Sequence, residues 1–260
     1  MKKVQINKYQ VGLVFKNGTY QRMLAEGKYW FWQNVQVYVY DRTKAFNAPV
    51  DLNVLLADAA LAEQLQVVAV ADNEIVLLYE NGLFQYVLGP GRYAFWKGVV
   101  NYSFVRADVS KVEITEPIDR TVLQNKLVQP FVRSNEVQSY EKALLFVDGK
   151  YVAALQPGVY NWWKNSIPIY VAKADVRQQQ MEINGQEILT RDKAALRINA
   201  WAQYKLVNME KALLENKEWD KQLYVAFQLA LREYIAGFSF DELLEKKEAI
   251  APFILERVAA

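Results

Sequence analysis

Few residues in this chain have the types and spacing to do chemistry. Glu113, Glu116 and Asp119 lie close together, as a carboxylate cluster for metal or acid–base work would. No second acidic cluster completes such a site, and charges spaced this way ordinarily form a solvated face. Gly89-Pro90-Gly91 has the glycines of a phosphate cradle. It lacks the Lys-Ser/Thr pair of a phosphate-binding loop and the strand–helix setting of a dinucleotide site, so it reads as a turn. Trp30, Trp32, Trp96, Trp162 and Trp163 are candidates for ligand-stacking platforms. The chain has no histidine and no cysteine. That excludes Ser-His-Asp and Cys-His nucleophiles, imidazole-built zinc or copper sites, and thiol chemistry. No catalytic residue, cofactor or metal is therefore expected.

The charge balance excludes another class. Lys and Arg number 31, Asp and Glu 29, for a net +2. Without a clustered basic excess there is no nucleic-acid footprint. At 52% hydrophobic and 23% charged the chain is globular. Its longest stretch without a charge, Tyr151 to Trp163, is short of the ~20 apolar residues that a membrane span needs, so no integral span is expected. Met1-Lys-Lys-Val-Gln-Ile is not followed by the apolar core of a signal peptide. The expected location is the cytoplasm, with peripheral attachment at the inner face of a membrane left open.

The elements that would position these residues form a repeat. The stretch Lys142 to Trp163 reads as a hairpin through Asp148-Gly149, a dipeptide suited to a two-residue turn. Pro157-Gly158 then turns the chain into an aromatic strand. The same pattern runs from Gly12 to Trp32 and from Ile75 to Trp96. Gly18, Gly82 and Gly149 align, 64 and then 67 residues apart. At fixed distances beyond them stand Leu24, Leu88 and Leu155; Gly27, Gly91 and Gly158; Tyr29, Tyr93 and Tyr160; and Trp32, Trp96 and Trp163. Equivalence across copies makes most of these tryptophans packing residues; Trp30 and Trp162 are expected to be the exposed ones. Short helices are expected after Pro49, capped by Asp51, and after Pro117. The predicted boundaries are residues 1–70 and 71–136 for two β-rich modules, then 137–260.

The third copy leads into something different. Leu196, Ile198, Ala200, Ala202 and Tyr204 alternate with Arg197, Asn199, Trp201, Gln203 and Lys205, a long strand with two unlike faces. A helix follows from Trp219 to Ala236, with Leu223, Phe227, Ala230 and Tyr234 on one side. Ser239-Phe-Asp-Glu242 is a capping box opening another helix, which Pro252 should kink or split. The sequence stops at Val258-Ala-Ala inside an apolar helical pattern, as expected of a piece of a longer protein.

Gln186 to Asp192, the alternating strand, Tyr204 to Leu213, Leu229 to Gly237 and Phe240 to Ile250 together resemble the band 7 or SPFH domain, most closely the stomatin-like slipins. The resemblance covers residues 137–257. Asn208-Met209 stands where the family commonly has Asp-Pro, and two β-modules stand where stomatin-type proteins carry a membrane-inserting segment. In layout the chain is similar to the major vault protein, a soluble shell-former. The fold expected is α+β, with tandem β-rich repeat modules followed by an SPFH/band 7-like domain with C-terminal helices.

The resemblance implies a non-enzymatic scaffold that homo-oligomerises into a ring, cage or membrane-associated assembly and organises partners such as a membrane protein or protease. The expected interface residues are Arg232, Glu233, Leu243, Leu244, Lys247, Ile250, Phe253 and Ile254. The face made by Leu243, Leu244, Ile250, Phe253, Ile254 and Val258 would serve equally as intramolecular core, and exposure of Phe253 and Ile254 decides between the two. The alternative function is a soluble ligand- or peptide-binding module using exposed Trp and Tyr, with Trp30 and Trp162 as the stacking residues.

Overall fold

A computed structural model describes residues 2–32 and 34–259. Five strands make the first module: β1 (Lys2–Ile6), β2 (Gln10–Lys16), β3 (Thr19–Leu24), β4 (Gly27–Phe31) and β5 (Val35–Asp41). β1 pairs with β4, and the other three form a sheet in the order β3-β2-β5. Helices α1 (Leu52–Leu56) and α2 (Ala59–Gln64) follow. The second module repeats the plan with β6 (Leu65–Val70), β7 (Glu74–Glu80), β8 (Leu83–Leu88), β9 (Gly91–Trp96) and β10 (Tyr102–Asp108). After α3 (Arg120–Leu123) and a 3-10 turn, the third module comprises β11 (Val132–Val137), β12 (Glu141–Val147), β13 (Lys150–Leu155), β14 (Gly158–Trp163) and β15 (Ile169–Asp175). Each module is a two-stranded sheet (β1-β4, β6-β9, β11-β14) and a three-stranded one (β3-β2-β5, β8-β7-β10, β13-β12-β15). β6, which the predicted boundary at residue 70 leaves in the first module, pairs with β9 and so opens the second.

The repeated residues explain the repeated geometry. Asn17-Gly18, Asn81-Gly82 and Asp148-Gly149 all have positive φ, between 50° and 81°. This is the type I′ conformation, whose twist matches the strands it joins. Leu24 and Leu155 are buried and Leu88 half-buried. The repeated tyrosines close the second turn. Tyr29 Oη donates to the Ala25 carbonyl (3.1 Å), Tyr93 to Gly89 (3.1 Å) and Tyr160 to Gln156 (2.9 Å). The Gly89-Pro90-Gly91 loop is thus a turn pinned by Tyr93.

The central strand of each of the first two modules is buried on both faces, which is why it reads as an unbroken apolar run. On β2, Val14 packs with Ile6 and Leu24 of its own module. Val11, Leu13 and Phe15 point the other way, into a core with Leu55, Leu61, Leu65, Ala94 and Trp96. On β7, Val76 and Leu78 meet Val68, Val70 and Phe95, while Ile75 and Leu77 share a core with Leu123, Val128 and Trp163. The short helices close these cores. Asp51 caps α1 through Asn53 N (2.8 Å). Asp58 caps α2 and also accepts from Tyr20 Oη (2.7 Å) and Met23 N (3.0 Å), tying the helix to β3.

The described chain forms two compact units, Met1–Ser134 with Asn161–Ser166, and Asn135–Tyr160 with Ile167–Ala260. The second continues past β15 into the long hairpin β16 (Gln178–Leu189) and β17 (Ala195–Lys205), then α4 (Trp219–Ala236), α5 (Phe240–Glu245) and α6 (Ile250–Ala259). The helix pattern around Pro252 divides. α5 ends at Glu245, a 3-10 turn bridges Lys247–Ala249, and Pro252 sits in the first turn of α6. A proline there forfeits only an N–H that has no intrahelical partner. No described helix is long and apolar enough to cross a membrane.

Candidate functional site

The hairpin and the helices of the second unit pack around one core. β17 alternates half-buried and exposed along its length, as its sequence predicts. The half-buried face carries Leu196 and Ile198, which pack with Ile188 of β16 against Ala230, Leu231, Tyr234 and Ile235 of α4. Leu243 and Ile254 are buried in the same core, and Ile250 and Phe253 pack against it. These four expected interface residues therefore hold the helices to the hairpin. The correction has a simple cause: the apolar stripe of α5 and α6 is consumed by an intramolecular partner that the helix sequence alone does not reveal. Leu244 and Lys247 remain exposed.

Arg232 and Glu233 lie exposed on α4 but are engaged within the chain. Arg232 Nη2 donates to Gln186 Oε1 (3.3 Å), and Arg257 pairs with Glu233 (2.5 Å). Exposed ion pairs of this kind contribute about 0–1 kcal/mol. Sequence reasoning missed a further feature of α4. Val225 and Leu229, one turn apart, are exposed, and Arg232 and Glu233 continue their stripe by one more turn. The signal was present in the sequence as apolar residues outside the core face of the helix.

The tip of the hairpin is tied to the α4–α5 junction. Arg191 N donates to the Phe238 carbonyl (2.9 Å), and Arg191 Nη2 to Glu242 Oε2 (2.7 Å). Asp192 accepts from Thr190 Oγ1 (2.5 Å) and Phe240 N (3.2 Å). The capping box forms as predicted, with Glu242 accepting from Ser239 N (2.8 Å). That backbone donor first, and the Arg191 guanidinium second, hold the Glu242 carboxyl down to about 2 from the usual 4.5. A depressed carboxyl contributes stability above its unfolded value and loses it as the proton binds. Acid titration should thus loosen the tip between about pH 4.5 and 2. Comparing acid titrations of the protein and its Glu242→Gln variant, followed by circular dichroism, checks this: the variant should lack that component.

The other candidates separate. Glu116 accepts from Trp163 Nε1 (3.2 Å) and from two backbone amides, Asp119 caps α3, and Glu113 is exposed. The three carboxylates serve local structure and do not converge. Trp30 is 56% exposed, as expected, with Lys3 Nζ 5.9 Å from its ring centroid. Trp162 is not exposed, at 7%. Counted from the turn glycine it stands with Phe31 and Phe95, on the face of the two-stranded sheet that turns inward, so it is no stacking platform. Trp96 and Trp163 are at 0% and Trp32 at 79%, so equivalence in sequence does not make Trp32 a packing residue. β4 ends at Phe31, whereas β9 and β14 continue through their tryptophans. Counted from the repeated tryptophan, the next strand also starts three residues sooner in the first module (Trp32 to Val35, against Trp96 to Tyr102 and Trp163 to Ile169), which accounts for the period of 64 rather than 67. Trp32 thus falls beyond its strand and meets no core.

Residues 135–260 match the sequence model of the SPFH domain / Band 7 family. An uncharacterized protein of Methanocaldococcus jannaschii is 32% identical over 123 residues, 46% of this chain and 59% of that protein. Stomatin homologs of Pyrococcus horikoshii and Pyrococcus abyssi are each 30% identical over 116 residues, 44% of this chain and 42% of theirs. The chain spans about half the length of these curated relatives. The matched region holds the long hairpin, its α4–α5 tie and most of the third β-module, and over it the chain is similar to the SPFH/band 7 family and to archaeal stomatin homologs.

Proposed function

We propose that the chain is a non-enzymatic scaffold that associates with copies of itself into a ring, cage or membrane-associated assembly and organises partner proteins. What supports this is the stomatin-like domain together with the outer stripe of α4. Val225 and Leu229 are left in solvent although the inner face of the same helix is fully used. Apolar side chains adjoining Arg232 and Glu233 suit a lateral contact, in which apolar area supplies affinity and charges set register. A contact between unlike faces closes into a ring when its rotation permits.

Sedimentation velocity on the whole protein at micromolar concentration tests the reading. Oligomers are expected, and a Val225→Glu, Leu229→Glu double variant should shift them toward monomer while melting normally. A strictly monomeric protein would sink the proposal. A second reading, a ligand-binding module, retains Trp30 and Trp32 as exposed rings of the first module. Quenching of their fluorescence by a bound ligand, lost in Trp30→Ala, is its test.

A further inference from the structure

The geometry points to a peptide-binding groove in the second unit, in which an extended segment from another protein adds to the free edge of β17. It would carry apolar side chains at alternate positions and a carboxylate set against Lys247. β17 pairs with β16 alone, and its residues form no other backbone ladder among those described. Beside its second edge lies a groove of about 480 Å³. Six consecutive residues, 198–203, line one wall. Their side chains alternate between the two faces of the hairpin, so what they present jointly to the groove is the backbone edge. The opposite wall and floor are apolar, from Phe227 and Leu231 of α4 and Ile250, Ile254 and Leu255 of α6.

An unpaired edge is a row of amides and carbonyls seeking partners. The occupant that satisfies them is itself a strand. A sheet edge beside a helix is the arrangement in which strand addition gives affinity through the main chain and specificity through side chains at every second position. Six residues of wall accommodate roughly 20 Å of extended chain at about 3.3 Å per residue. Ala200 and Ala202, small residues on the inner face of β17, leave room for the incoming side chains. Lys247 is the one charged residue on the lining, which selects an acidic group on the segment. This site is separate from the α4 stripe, so its failure and the failure of self-association are read by different variants.

A fluorescein-labelled octapeptide of alternating valine and threonine, ending in a free carboxylate, is the probe. Fluorescence anisotropy against the whole protein should show saturable binding, and hydrogen exchange should show slowed β17 amides in the complex. Two versions N-methylated at alternate amides, one per register, keep the side chains and remove one set of donors; one of them should fail to bind. Ala251→Trp, which fills the groove from an exposed position, and Lys247→Glu should each weaken binding by about tenfold, or ~1.4 kcal/mol. Melting of both variants checks that they fold. The inference falls if both methylated peptides bind like the parent, since that is apolar adsorption, or if Ala251→Trp leaves binding unchanged. It falls also if β17 amides become protected with protein concentration alone, because a second copy then occupies the edge.

Discussion

Trp163→Ala should destabilise the first unit by about 3–5 kcal/mol, the range for removing a large aromatic side chain from a packed core. Trp32→Ala, the same substitution at the same place in the repeat, should change stability by less than ~0.5 kcal/mol, as exposed positions do. Trp163 is fully buried among Ile75, Leu77, Leu123 and Val128, whereas Trp32 is 79% exposed. Denaturant unfolding followed by circular dichroism, which does not depend on the lost fluorophores, measures both. Trp96→Ala should resemble Trp163→Ala. The phenylalanine variants should differ, because the two indoles are satisfied differently. Trp163 Nε1 donates to Glu116, while Trp96 Nε1 is buried without a partner among the described residues. Removing an unpaired buried donor recovers part of its desolvation penalty, so Trp96→Phe should be milder than Trp163→Phe by about 1 kcal/mol. Equal effects of Trp163→Ala and Trp32→Ala would overturn the account of how the modules pack.

The second large effect lies in the helical layer. Leu231→Ala should cost about 2–5 kcal/mol, since Leu231 is 1% exposed at the centre of the contact between α4, α6 and the hairpin. Hydrogen exchange should show α4 and α6 losing protection together, because their cores are one. Leu229→Ala, two residues earlier and 59% exposed, should leave that protection intact while weakening self-association. The pair separates what holds the layer together from what it presents outward. If Leu229→Ala loosens α4 as much as Leu231→Ala, the outer stripe is structural and cannot serve as the lateral contact.

Much of this architecture could be read from particular residues. The three Asn-Gly and Asp-Gly turns announced the hairpins, because only residues tolerant of positive φ suit them. Ser239 and Glu242 announced the start of α5. The alternation from Leu196 to Tyr204 announced a strand with one face covered. What stayed hidden were long-range choices. Pairing of β1 with β4, and of β6 with β9, joins segments separated by a whole hairpin, and no local pattern encodes it. A strand buried on both faces has no alternation, so nothing on β2 tells which residues face its own module and which the next. The fates of Trp32 and Trp162 depended on where β4 ends and on which side of a two-stranded sheet each ring falls. The core role of Ile250, Phe253 and Ile254 depended on a hairpin more than forty residues away.

In both cores of the first unit that hold a repeated tryptophan, the ring from one module's two-stranded sheet meets the central strand of the module before it. The contact that joins neighbours is therefore the same contact each time, made from equivalent surfaces. A gene carrying such a unit can gain or lose one copy by unequal exchange, and the new neighbours will already fit each other. Module number is then a quantity that evolution can change without inventing an interface, while the stomatin-like end stays as it was.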